Sequence, residues 1–131
     1  MIARSSDSPA WPVRSCIGLA VGAAIAAVDN IAFNGEVSPI VVIAMLLAAT
    51  ITAGFLREKL GLATAVAVWI CVPGVHLAKR ILGLPDTLHP NTYTSILMLA
   101  VFSLAVVAAG TGCGLLIRRL VLKKSDEILA D

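Results

Sequence analysis

Charged side chains are scarce in this 131-residue chain, and they are missing altogether from long runs. Asp, Glu, Lys and Arg make up 14% of the residues, whereas about a quarter is usual in soluble domains. None of the four occurs in residues 37–56, 60–78 or 87–117, and each run is about as long as a helix that spans a bilayer. Together with a mean hydropathy of +0.95, these runs argue against a water-soluble fold and predict an integral membrane protein.

Disulfide and metal motifs are also missing. The three cysteines, Cys16, Cys71 and Cys113, lie inside apolar segments and none lies in a loop, which argues against a disulfide framework. Without a Cys-x-x-Cys pair, a membrane thiol oxidoreductase is rejected as well. No His-x-x-x-His or Glu-x-x-His spacing indicates a metal site, and no motif identifies an enzyme or a cofactor. A formal charge of +2 is too small to suggest nucleic-acid binding.

A fourth apolar run, residues 15–28, precedes the other three. It reaches spanning length if Asp29 and Asn30 lie at the membrane interface and the helix ends a turn later. The sequence therefore predicts an all-α fold, an antiparallel bundle of four transmembrane helices with short loops. The predicted helices cover residues 13–33, 38–56, 62–82 and 92–118. They are expected between a disordered leader over residues 1–12 and a cytoplasmic tail over residues 119–131, with Asn91 or Thr92 capping the last helix. As an alternative, the tail prolongs that helix as an amphipathic stub.

Lysine and arginine are distributed unevenly between the two ends of the predicted helices. With the amino terminus in the cytoplasm, the outer side holds only Lys79 and Arg80. The inner side holds eight: Arg4, Arg14, Arg57, Lys59, Arg118, Arg119, Lys123 and Lys124. This excess predicts a multi-pass protein of a bacterial-type inner (plasma) membrane with both termini in the cytoplasm. As an alternative, the first helix is a signal peptide cleaved near residues 24–27, which leaves three spans.

Polar residues gather toward the outer ends of helices 1 and 3. At 1.5 Å per residue, Asp29 and His76 lie about 22 Å and about 21 Å from the inner ends of their helices, so we expect them to meet. His76, Lys79 and Arg80 are spaced i, i+3 and i+4, which places them on one face of helix 3. This cluster predicts a site near the outer face that relays a proton or binds a ligand or ion.

The connection between helices 3 and 4 adds Asp86 and His89 to the candidate site. Two other interpretations stay open. In one, Asp29 and Asp86 pair with Lys79 and Arg80 only to offset the cost of acids near lipid. In the other, the basic residues of helix 3 bind an anionic lipid head group or simply extend toward the head-group layer.

Small residues indicate where helices pack closely. Helix 1 carries the pair Gly18 and Gly22, and helix 4 carries Gly110 and Gly114. These pairs predict either a close approach of helices 1 and 4 within one chain or a contact between copies of the protein.

Two functions are consistent with these features. The first is a non-enzymatic, accessory or structural subunit of a membrane assembly or homo-oligomer, whose partner is otherwise the lipid bilayer. The alternative is a small transporter or channel-like protein that uses Asp29 and His76. It comes second because a proton-coupled carrier usually has an ionisable group deep in the membrane, and the apolar stretches of helices 1, 2 and 4 contain none except cysteine.

Overall fold

A computed structural model describes residues 10–31, 39–56 and 58–130 of the chain. Within these ranges the fold is all-α, as predicted. It consists of four helices: α1 (Ala10–Ile31), α2 (Pro39–Leu56), α3 (Glu58–Leu82) and α4 (Tyr93–Ala130). Two of them are long and apolar enough to cross a membrane, α3 over Gly61–Leu82 and α4 over Tyr93–Asp126. The apolar stretches of α1 and α2, Ser15–Asn30 and Ile40–Leu56, are shorter.

The first and last helices extend beyond their predicted ends. α1 begins inside the predicted leader, so Pro12 lies in its first turn. Backbone N–H groups in the first turn have no hydrogen-bond partner within the helix, so a proline is tolerated there. Residues 1–9 of the leader lie outside the described residues. α4 continues to Ala130 instead of ending near Arg118, because the sequence after Arg118 contains no proline or glycine that would end a helix.

α3 begins at Glu58 and not at residue 62. The predicted helices left residues 57–61 as a connection, but glutamate and lysine, the first two residues of α3, are good helix formers. Only residue 57 separates the ends of α2 and α3. This short connection makes the two helices antiparallel neighbours, with Gly61 packed against the backbone of Ala53.

The helices alternate in direction but do not pack as a symmetric square. α1 runs parallel to α3 and packs along it, and α2 runs parallel to α4 in the same way. α3 contacts all three other helices, whereas α1 and α4 make no contact within the described ranges. The expectation that helices 1 and 4 approach each other is therefore wrong. The alternating direction of the helices was readable from the sequence, but the choice of neighbour depends on which faces fit together.

Glycines of α1 allow its close approach to α3. A Cβ atom on Gly18 would lie 2.9 Å from the carbonyl oxygen of Thr64, and one on Gly22 would lie 2.8 Å from Sγ of Cys71. Real Cβ atoms do not approach other atoms this closely, so both positions require glycine at this helix separation. This pair thus sets the distance between α1 and α3.

Glycines of α4 make the corresponding contact with α2. Gly110 lies against the side chain of Thr50, and a Cβ atom on Gly114 would overlap the carbonyl oxygen of Ile51. In the described part of the chain, both glycine pairs therefore serve contacts within one molecule.

The interior of the bundle is apolar, with a few hydroxyl groups. Its buried aliphatic residues come from all four helices and include Ile25, Leu46, Val68, Val72 and Val107. Thr50, Ser103 and Thr111 are also buried, and each donates a hydrogen bond to the carbonyl oxygen four residues earlier in its own helix. Their polar groups are thereby satisfied without a partner from another helix.

The outward surface of the bundle is apolar as well. On α4 the side chains of Leu97, Met98 and Val101 are all more exposed than buried, and Ile40, Leu56 and Ile81 continue this surface on α2 and α3. A helix that is apolar on all sides is typical of a membrane span, because lipid covers the outward face.

The connection between α3 and α4 is fixed at both ends by backbone and capping contacts. Gly83 ends α3 with a φ of +66°, in the left-handed region, and the Leu84 N–H donates to the Lys79 carbonyl oxygen at 2.9 Å. Thr92 caps α4, since its Oγ1 accepts a hydrogen bond from the Ser95 N–H at 3.2 Å. This confirms Thr92 as one of the two predicted caps.

We expect the substitution Gly114→Ala to separate α2 and α4, since the added methyl group would displace backbone atoms of Ile51. The expected loss in the free energy of unfolding is about 1–3 kcal/mol, measured by denaturant titration in detergent micelles. Gly112→Ala is the matched control, because a Cβ atom there meets no atom within 4 Å. Equal stability of the two variants would contradict the close α2–α4 contact.

Candidate functional site at the loop end of the bundle

The ring of His76 lies between two carboxylates. Its Nε2 atom is 2.9 Å from Oδ2 of Asp29, and its Nδ1 atom is 2.8 Å and 2.9 Å from the two oxygens of Asp86. The side chain of His76 is only 3% exposed. An ionised carboxylate can only accept hydrogen bonds, so with Asp29 and Asp86 both ionised, both ring nitrogens donate and the ring carries a positive charge.

Two features of α1 and α3 bring Asp29 to His76. The helices run parallel, and the glycines of α1 hold them close along their length. Asp29 and His76 therefore reach the same depth on facing sides. The sequence predicted this contact from the distances of the two residues along their helices, and the structure confirms it. It lies at the end of the bundle that carries the α3–α4 loop. We call this end the loop end.

Asp86 is the most enclosed member of the site. It belongs to the loop, yet its side chain is only 1% exposed. Besides the His76 ring, it accepts hydrogen bonds from the Thr87 backbone N–H at 2.8 Å and from Nδ2 of Asn91 at 3.0 Å. The Nζ atom of Lys79 lies 3.8 Å away. The loop thus folds back over the end of the bundle, with Asp86 at its centre.

Lys79 ties α3 to α1. Its Nζ atom donates to Oδ1 of Asn30 at 2.6 Å, and Nδ2 of Asn30 donates to the Ala26 carbonyl oxygen at 2.8 Å. We refer to Asp29, Asn30, His76, Lys79, Asp86 and Asn91 as the polar cluster. The sequence interpretation did not include Asn30 or Asn91 in the site. The available signal for them was that both are polar residues close to the ends of predicted helices.

Arg80 and His89 lie outside the polar cluster. The Arg80 guanidinium carbon lies 5.4 Å from the centre of the Tyr93 ring, a distance suited to a cation–π contact. His89 is exposed in the loop. Lys79 and Arg80 are consecutive residues of α3, so their side chains point about 100° apart around the helix axis. Only Lys79 reaches Asn30 and Asp86. Lys79 and Arg80 therefore contact different partners, Lys79 in the polar cluster and Arg80 at the Tyr93 ring.

A cavity of about 220 Å³ adjoins the polar cluster between α2, α3 and α4. Asp29, His76, Thr87 and Ser103 form the polar part of its lining. The rest is apolar: Val42, Ile43, Leu46, Val72, Leu88, Leu99 and Phe102. Oγ1 of Thr87 is buried and has no hydrogen-bond partner among the described residues. The cavity therefore combines a large apolar wall with a small polar end.

In the described ranges, no three His, Cys, Asp or Glu residues are placed to hold a metal ion together. His76 has no nitrogen lone pair available, because both of its ring nitrogens donate to carboxylates. What the arrangement can do is hold a proton on His76 and present Asp29 to a ligand in the cavity.

No protein-family model matches the chain, and the searches of curated proteins and of solved structures likewise give no match. The function is therefore argued from the polar cluster and its cavity.

We expect Asp86→Asn to destabilise the fold strongly, because it leaves the charged His76 ring with one carboxylate fewer in a buried position. Breaking a buried ion pair on one side costs about 3–5 kcal/mol. The free energy of unfolding in micelles measures this loss. Asp126→Asn, which removes an exposed carboxylate at the far end of α4, is the control and is expected to change stability by less than about 0.5 kcal/mol. Similar values for the two variants would contradict the role given to Asp86.

Proposed function

We propose that the protein spans a bacterial-type inner membrane four times, with both termini in the cytoplasm and the loop end facing outward. The two long apolar helices and the apolar outward surface support membrane insertion. The apolar stretches of α1 and α2 are short, but each packs along a longer helix that runs parallel to it, α1 along α3 and α2 along α4. The excess of lysine and arginine on the opposite side from the loop end supports this orientation.

Of the two functions that the sequence left open, the site favours the small transporter or channel-like protein. The observation that carries this proposal is the cavity next to the charged His76 ring. An ionisable residue inside a membrane is costly, and such residues usually lie on substrate, ion or proton pathways. Here His76 also lines the cavity, which is large enough for a small solute.

Two further buried hydroxyl groups lie between the cavity and the inner side, where α2 and α4 are closely packed. Ser103 lines the cavity, and Thr111 lies two helical turns, about 12 Å, further from the loop end on the same helix. Thr50 of α2 lies beside Gly110 at a similar depth. Each hydroxyl oxygen keeps a lone pair after donating to its own helix, and Ser103 lines the cavity, where it can accept a hydrogen bond from a solute or water.

A second candidate is the accessory or structural role in an assembly or homo-oligomer. An apolar groove of about 310 Å³ between α3 and α4 favours it, with Trp69, Pro73, Gly74, Tyr93 and Leu97 in its lining. Gly74 leaves open space in this groove, so another helix can approach there. Native mass spectrometry from detergent separates the candidates, since a lipid-bound monomer would count against the assembly role.

Transport is tested by uptake into vesicles that contain the purified protein. Three radiolabelled probes sample the charge classes: benzyltrimethylammonium, benzenesulfonate and the neutral erythritol. We expect at least one to enter faster than into empty vesicles. His76→Gln and Asp29→Asn should slow that uptake about tenfold or more, since each removes a charge at the cavity. Asp126→Asn serves as the control and should leave uptake unchanged. Rates equal to those of empty vesicles for all three probes would contradict the proposal.

A further inference from the structure

The positive and negative charges around the cavity are equal in number, and this affects which charge class of solute the cavity accepts. Asp29 of α1 and Asp86 of the loop are negative, and His76 and Lys79 of α3 are positive, which gives a net charge of zero. α2 contains no ionisable residue, and the residues that α4 contributes to the cavity, Leu99, Phe102 and Ser103, are uncharged. No further described charge faces His76 from these elements.

The two carboxylates differ in what they can still bind. Asp86 is enclosed and accepts hydrogen bonds from His76, Thr87 and Asn91. Asp29 uses one oxygen, Oδ2, for His76, and its side chain is 22% exposed where it lines the cavity. Its other oxygen is therefore the acceptor that a ligand can reach. The unpartnered Oγ1 of Thr87 lies on the same cavity lining.

The apolar wall indicates what the rest of the ligand is like. A cavity of about 150 Å³ lined by aliphatic and aromatic side chains is large enough for benzene. The cavity here measures about 220 Å³, and its wall includes Phe102, Leu99 and Val72. It therefore has room for one phenyl ring or branched alkyl group together with a small polar head.

We infer that the cavity binds a small organic monocation with an apolar body, and that its binding at Asp29 releases the proton of His76. The inference rests on the proposed role of the Asp29 and His76 site and names its substrate class. A cation beside a charged ring would leave a net charge of +1 next to a largely apolar wall. If the bond between hydrogen and Nε2 of His76 breaks and the proton leaves to water, the site stays neutral. The ring then keeps its Nδ1 hydrogen bond to Asp86.

This exchange makes the cation and the proton competitors for one site. Each bound cation replaces one proton, so nothing is oxidised or reduced and the total charge is unchanged. A protein with this property can move an organic cation in one direction and a proton in the other.

The test uses benzyltrimethylammonium as the probe and isothermal titration calorimetry of the purified protein in detergent. The probe carries a permanent charge, so any proton released comes from the protein. Titrations in two buffers with different ionisation enthalpies give the number of protons released per bound cation. We expect about one, and we expect the affinity to rise about tenfold per pH unit wherever His76 is charged in the free protein.

Variants assign the two parts of the exchange to residues. Asp29→Asn should weaken cation binding about tenfold or more, whereas Asp126→Asn should leave it unchanged. His76→Gln should abolish proton release while cation binding remains. Thr87→Val keeps the ion pairs and should weaken binding severalfold, so it tests the cavity even if the charge variants fail to fold. Helix content and unfolding of each variant are measured alongside.

Benzyl alcohol, a neutral probe with the same ring, separates failure of this inference from failure of the proposed function. If benzyl alcohol binds while the cation does not, or if the cation binds without proton release, the inference is overturned and the solute site remains. If neither probe binds, the inference is overturned too, and the vesicle uptake alone then decides the proposed function.

Discussion

The contact of the His76 ring with two carboxylates joins parts of the chain that are far apart in sequence. Asp29 ends α1 and Asp86 lies in the loop before α4, so one ring connects three elements. Charged groups close to lipid are costly unless they are paired. Pairing therefore draws the loop down onto the bundle, and Lys79 adds a second link to α1 through Asn30. The ordered loop and the wall of the cavity both depend on this charge pairing.

The pairing in turn depends on packing at the other end of the helices. Gly18 and Gly22 let α1 lie close to α3, and without this approach Asp29 would not come within hydrogen-bond distance of His76. On the other side, Gly110 and Gly114 hold α4 against α2. The cavity lies between α2, α3 and α4 next to the loop, so the close-packed glycines and the polar end belong to one arrangement.

The sequence predicted features that depend on distance along a helix. Charge-free runs indicated the helices, and the rise per residue placed Asp29 and His76 at one depth. It did not predict which helices touch, because that depends on how whole faces fit, and so the expected contact of helices 1 and 4 was wrong. It also did not indicate that Asp86 would be buried, because a loop carboxylate is usually solvated. The longer α4 agrees with the alternative in which the tail prolongs the last helix.

The central claim is that His76 carries a proton on both ring nitrogens and donates to both carboxylates. The most direct measurement is nitrogen-15 NMR of the histidine rings in the purified protein at neutral pH. The chain has two histidines, so the His89→Gln variant leaves His76 as the only signal. The account predicts that both ring nitrogens give shifts of protonated nitrogen, and that Asp29→Asn and Asp86→Asn each change them. A ring with one unprotonated nitrogen would contradict it.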